Sequence, residues 1–188
     1  MIEVIIHGRG GQGVVIASEI LAAALFAEGK HVQAFPSFGA ERRGAMVAAF
    51  MRSGDEPVLL RCQIYQPDHI IVLDSSILQS TDIGQTIKPG GWMVVNAAEP
   101  PDLGMQTGDF KLAIVDANEI AVKYELGTRQ SAIVNTAILG AFAKVTGTVK
   151  VDSVLATIDQ FVPVKSEANA EAAKEAASLV REVSGAHV

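Results

Sequence analysis

The chain has 188 residues and a mass of 19.8 kDa, which suggests one domain over 1–188 that needs no disulfide or metal staple. Hydrophobic residues make up 49% and charged ones 19%, with mean hydropathy +0.30; so thin a polar coat fits either a compact alanine- and valine-rich domain or one partly covered by a partner. Lys and Arg number 15 against 21 Asp and Glu, a net charge of −6, which argues against a general nucleic-acid binder, and the one cysteine, Cys62, can neither close a disulfide within the chain nor hold an iron–sulfur cluster or structural zinc by itself.

Ile2 to His7 is a β-branched run that predicts a buried strand. Gly8-Arg9-Gly10-Gly11-Gln12-Gly13 breaks it, and Ala17, Ile20, Leu21, Ala24 and Leu25 then recur at helical spacing over 14–28, with Gly29 as the natural stop. A second strand over 31–35 completes a strand–loop–helix–strand unit, normally a right-handed parallel crossover. After a loop over 36–44, two strands are expected at 45–52 and 57–62, a hairpin around the turn Ser53-Gly54-Asp55-Glu56. Another buried strand over 69–73 ends at Asp74, and a helix is expected within 75–85. Lys88-Pro89-Gly90-Gly91 turns into a strand over 92–95, and 97–109 reads as a surface excursion. A strand over 112–115 leads to a helix start at Asp116-Ala117-Asn118-Glu119; long helices follow over 128–145, 151–160 and 167–183. The expected fold is α/β, a three-layer α/β/α Rossmann-like architecture whose mixed, mostly parallel sheet carries an antiparallel hairpin. No apolar run approaches the length needed to cross a bilayer, and the chain does not open as a secretory signal does; the expectation is a cytoplasmic protein without membrane contact.

The glycine loop is the first candidate site. Gly8-Arg9-Gly10-Gly11-Gln12-Gly13 satisfies G-x-G-x-x-G between a strand and a helix, where glycines let backbone N–H groups approach a phosphate. The bland reading is that these glycines only let the loop pack against the sheet or a partner chain. A dinucleotide site would also require an acid at the end of the second strand for the ribose hydroxyls. That strand ends Ala34-Phe35-Pro36-Ser37, and the next acid is Glu41, so the fingerprint is incomplete.

The second candidate is Pro36 to Gly44, which sets Glu41, Arg42 and Arg43 between Gly39 and Gly44. Adjacent guanidiniums on a permissive backbone suit a phosphate or carboxylate clamp. Both loops belong to the sheet edge where open α/β folds bind ligands. An internal Glu–Arg pair or an interface ion pair is the structural alternative. Asp74 reads better as a turn or cap acid, and Asn96 is similar. Asn135 reads as a satisfied buried amide, His7 as a core histidine, and Cys62 as a small core residue or exposed bystander. His7, His31, His69 and His187 are scattered without ligand spacing, and no catalytic set of side chains is evident.

His7 to Gly13 at the start of the chain, followed by Phe35-Pro36-Ser37-Phe38-Gly39-Ala40-Glu41-Arg42-Arg43-Gly44-Ala45, resembles the gamma subunit of 2-oxoacid:ferredoxin oxidoreductases, closest to pyruvate-type members. The likeness continues through Asp55-Glu56-Pro57 and Pro67-Asp68 to Asp74, and again over 127–140 with Asn135. Such complexes decarboxylate a 2-oxoacid oxidatively on thiamine diphosphate and pass electrons through iron–sulfur clusters to ferredoxin. They usually form an acyl-CoA.

The resemblance implies that thiamine diphosphate, its Mg and the clusters sit on partner subunits. This chain would complete the assembly and help admit or hold coenzyme A, without being active alone. It carries the family's glycine motif onto Gly8, Arg9, Gly10, Gly11, Gln12 and Gly13, and its loop motif onto Pro36, Ser37, Phe38, Gly39, Glu41, Arg42, Arg43 and Gly44. Two other readings stand beside it: a stand-alone Rossmann-type nucleotide-binding enzyme, and a ligand-free assembly module. An isolated gamma-like chain could pair with itself through the surface its partners normally cover.

Overall fold

The computed structural model describes residues 1–37 and 45–183. In chain order the elements are β1 (Ile2–Arg9), α1 (Val14–Ala27), β2 (His31–Ser37), β3 (Met46–Gly54), β4 (His69–Val72), β5 (Gly91–Asn96), β6 (Phe110–Val115), α2 (Ala117–Lys123), β7 (Gly127–Thr128), β8 (Ser131–Ala132), α3 (Ala137–Thr146), α4 (Val151–Phe161), α5 (Ser166–Leu179) and β9 (Arg181–Val183). Seven strands form one sheet in the order β2-β3-β1-β4-β5-β6-β9. β1, β4, β5 and β6 pair in parallel, while β3 runs against both β1 and β2, and β9 against β6. The small pair β7–β8 is a separate hairpin. The class is α/β with a mixed sheet, as the alternation of strand and helix patterns implies.

The opening crossover differs from its simplest form. β2 runs in the direction of β1 but lies two places away, because β3 slots between them along its whole length, from Ile2 opposite Ser53 to Arg9 opposite Met46. The antiparallel hairpin is therefore β2–β3, not the expected pairing of 45–52 with 57–62. No strand forms over 57–62. Pro57 offers no N–H to a ladder. The Arg52 guanidinium also claims the carbonyls of Cys62 and Gln63 at 2.7 and 3.2 Å, fixing that segment in a non-strand course.

The two faces of the sheet are covered differently. All the described α-helices pack on one face. There Ile6, Leu21, Ile71, Val94, Phe142 and Ala173 belong to a continuous apolar core. Small residues allow close approach: an added Cβ on Gly140 of α3 would lie 1.9 Å from the Ala173 carbonyl of α5, so glycine is required there. The other face buries Ile5, Phe50, Ile70, Met93 and Phe110 under irregular chain, including 3-10 turns at Ser75–Gln79 and Gly84–Thr86 in place of the expected α-helix over 75–85. Gln106 makes this layer possible. Fully buried, it accepts from the Ile83 and Gly84 N–H groups and donates to the Leu78 and Thr81 carbonyls. One side chain thus satisfies four backbone groups that a helix would have paired internally.

Two helices are shorter than their apolar patterns suggest. α3 occupies only Ala137–Thr146, because 127–136 forms the β7–β8 hairpin and a turn, starting where Gly127 takes a φ of 85°. α5 ends at Leu179, and Arg181–Val183 adds an edge strand along β6.

Candidate functional site

β1, β2, β4, β5 and β6 all end at one edge of the sheet. The chain leaves β1 towards β2 on one side, whereas β4 lies on the other side. The β1/β4 boundary is therefore the switch point where open α/β sheets place ligands.

The glycine loop sits at this boundary. Gln12 folds it back on itself: its side-chain oxygen accepts from the Arg9 N–H at 2.7 Å, and its own N–H donates to the Arg9 carbonyl at 3.1 Å. The Gly10 N–H donates to the Ala45 carbonyl at 3.1 Å, which ties the loop to the chain entering β3. Gly13 begins α1 with φ 76°, and among the described residues no side chain caps that helix. Of the sequence-predicted site residues, Gly8 to Gly13, Pro36 and Ser37 are thus brought to one edge. Pro36 lies on edge strand β2, where a missing N–H is tolerated, and Ser37 accepts from Gln63 Nε2 at 3.4 Å. Phe38, Gly39, Glu41, Arg42, Arg43 and Gly44 lie outside the described residues.

Across the boundary, Arg9 Nε meets Asp74 Oδ2 at 3.1 Å, and its Nη2 donates to Ser76 Oγ at 2.7 Å. Asp74 also accepts from the Ser76 N–H at 3.0 Å and from Gln12 Nε2 at 3.4 Å. Burial alone would raise the Asp74 carboxyl. The Ser76 hydroxyl and N–H, the Arg9 guanidinium and the Gln12 amide outweigh that and hold it below the ordinary aspartate value. Asp74 is therefore an ionised cap for the turn at Ser75–Gln79, as its position suggests, and also the counter-ion of the glycine loop. The pairing with Arg9 spans 65 residues, and no local pattern announces it.

His7 lies within the buried stretch of β1, residues 4–8. Burial lowers its pKa to about 4, so it is neutral, and its Nδ1 has no hydrogen-bond partner among the described residues. Asn96 is structural: it donates to the Leu73 carbonyl and accepts from the Ala117 N–H. Cys62 is exposed, with its Sγ 3.8 Å from Arg52 Nη2. Asn135, read from sequence as a satisfied core amide, is buried but reaches the glycine loop: its Nδ2 lies 3.4 Å from the Gly13 carbonyl. Among the described residues no group of three His, Cys, Asp or Glu could hold a metal ion, and no helix is long and apolar enough to cross a membrane.

Comparison with known proteins bears on this edge. Residues 3–179 match the family model described as pyruvate ferredoxin/flavodoxin oxidoreductase. The chain is 50% identical over 182 residues to the pyruvate/ketoisovalerate oxidoreductases common subunit gamma of Thermococcus kodakarensis, covering 94% of this chain and 95% of that one. It is 48% identical over 177 residues to pyruvate synthase subunit PorC of Methanothermobacter thermautotrophicus, covering 94% of each. Its fold superposes on the crystal structure of pyruvate oxidoreductase subunit PORC from Thermotoga maritima with a TM-score of 0.80 at 35% identity, over 96% of this chain and 97% of that one. The incomplete dinucleotide fingerprint and the matching of nearly the whole chain to gamma and PorC subunits agree: the chain belongs to the pyruvate ferredoxin/flavodoxin oxidoreductase family, as a gamma-type subunit.

Proposed function

We propose that this chain acts as one domain within a 2-oxoacid:acceptor oxidoreductase that converts pyruvate, or a closely related acid, to its acyl-CoA and passes the electrons to ferredoxin. In this reading thiamine diphosphate, its Mg and the iron–sulfur clusters are held by partner subunits, and the complex works in the cytoplasm. The contribution of this chain is coenzyme A contact and completion of the active-site region. The observation that carries the reading is the bond from Gly10 to Ala45. It joins the glycine loop to the end of the segment bearing Arg42 and Arg43, at the sheet edge where α/β folds take anionic ligands.

Choice of acid is assigned to the partner chains. One relative is named as a subunit common to pyruvate and ketoisovalerate enzymes. A subunit shared in that way does not separate the two acids. The reading as a stand-alone nucleotide enzyme is not favoured, because β2 ends in Pro36-Ser37 without a ribose-binding acid.

The test is anaerobic purification of the complex from its native cells, with 2-oxoacid- and coenzyme A-dependent dye reduction as the assay. Replacing Arg42 and Arg43 together by Ala is expected to raise the KM for coenzyme A about tenfold or more, as loss of charge-assisted phosphate contacts should. Unchanged KM and unchanged assembly would overturn the proposed contact. Lost assembly with an unchanged KM in the residual complex would identify a ligand-free assembly module instead.

A further inference from the structure

Gly13 and Asn135 are separated by 122 residues and meet at the start of α1. An added Cβ on Gly13 would lie 2.5 Å from Asn135 Nδ2 and 2.9 Å from its Cγ, so the Asn135 amide occupies the space a side chain at 13 would need. The Gly13 carbonyl accepts from the Ala17 N–H at 2.9 Å, the first bond of the helix, with Asn135 Nδ2 3.4 Å away from the same oxygen.

The amide has one workable orientation. Its Oδ1 accepts from the Thr136 N–H at 3.1 Å. A flipped amide would set oxygen against the Gly13 carbonyl and NH2 against the Thr136 N–H. Thr136 is itself held, its hydroxyl donating to Asn169 Oδ1 at 2.7 Å, and Asn169 Nδ2 donates to the Lys165 carbonyl at 2.9 Å. Asn135, Thr136 and Asn169 are 2%, 0% and 2% exposed. Three polar side chains in an apolar core would be costly unless paired. Here they form a hydrogen-bonded strut from α5 to the glycine loop.

We propose that Asn135 is a positioning residue for coenzyme A: its amide, braced through Thr136 and Asn169, fixes Gly13 and so aims the glycine loop and the first turn of α1. This rests on the reading of the glycine loop as a coenzyme A contact. Asn135 touches no ligand itself and acts through Gly13.

The test uses the assembled complex with Asn135→Asp, which keeps the shape and replaces the donor with an oxygen, alongside Gly13→Ala. Asn135→Asp is expected to raise the KM for coenzyme A about tenfold, the ratio that corresponds to one lost hydrogen bond of ordinary strength. The kcat should stay within about twofold and the KM for the 2-oxoacid should not move, since the effect is on one ligand's binding. Thr136→Val, which removes only the brace, should raise it less. If Asn135→Asp does not assemble, Asn135→Ala, which removes the donor without burying a charge, supplies the same split. A lowered melting temperature with an unchanged KM for coenzyme A would overturn the proposal, as would a fall in kcat with both KM values unchanged. If Gly13→Ala raises the KM and the Asn135 variants do not, the positioning role fails and the loop reading stands. If Gly13→Ala also leaves the KM unchanged, the loop reading has failed.

Discussion

β1 carries an ion-pair cluster at each end, and the two differ in how far they are buried. At its start, Arg52 Nε pairs with Glu3 at 2.8 Å, and Lys88 bridges Glu3 and Asp68 at 3.3 and 3.0 Å. The Arg52 side chain is 2% exposed there, and its remaining donors end on the chain's own carbonyls. At the other end Arg9 pairs with Asp74 at 3.1 Å, but these side chains are 37% and 24% exposed. The chemistry is the same. Arg52 spends its donors on Glu3 and on the carbonyls of Cys62 and Gln63 and so fastens that segment, whereas the Arg9–Asp74 pair stands at a half-open edge, where solvent screens an ion pair and it adds little to stability.

The largest expected effect is at the closed end. Arg52→Ala removes the bonds that hold the Cys62 and Gln63 carbonyls and leaves Glu3 with Lys88 alone, and should lower unfolding free energy by about 3 kcal/mol, read from denaturant titration. A loss below about 1 kcal/mol would put the two clusters in the same class.

His7, between the clusters, should dominate the acid response. Burial lowers its pKa to about 4 in the fold from the ordinary histidine value of 6.5, so below pH 6.5 the unfolded chain binds the proton that the native chain refuses. Stability should fall as pH drops from 6.5 towards 4, by about 3 kcal/mol in total, and be unaffected above that window. His7→Gln should flatten this slope. An unchanged slope in the variant would show that other groups control it.

Asp74→Asn is expected to have the smallest effect on stability, under about 1 kcal/mol at neutral pH, because the pair is partly exposed. The carboxyl is held below its ordinary value in the fold, so its contribution is present above the unfolded aspartate pKa and lost as pH falls through the depressed folded one. Wild type and variant should therefore converge in acid. A difference that persists there would point to packing instead of charge.

The sequence shows the parts of this edge more readily than their arrangement. β1, the glycine loop and α1 are legible because a β-branched run, a glycine cluster and a 3.6-residue pattern each have a local physical cause. The order β2-β3-β1 is not, because strand patterns encode faces and leave neighbours unstated. The strand expected over 57–62 fails for a long-range reason, the reach of Arg52, and the helix expected over 75–85 fails because Gln106, far along the chain, satisfies its backbone. Asp74 was legible as a cap but not as the partner of Arg9. Asn135 looked like a satisfied core amide, and only its position beneath Gly13 reveals what it holds. The two motifs that carry the family likeness needed no fold at all, since they are read in order along the chain.

The central claim is that the open edge, and not the closed one, meets coenzyme A. Amide hydrogen exchange on the assembled complex, with and without coenzyme A, tests it most directly. The account predicts added protection over 8–16 and 36–45 and no change over 57–68. Saturating coenzyme A that protects neither of the first two segments would contradict it.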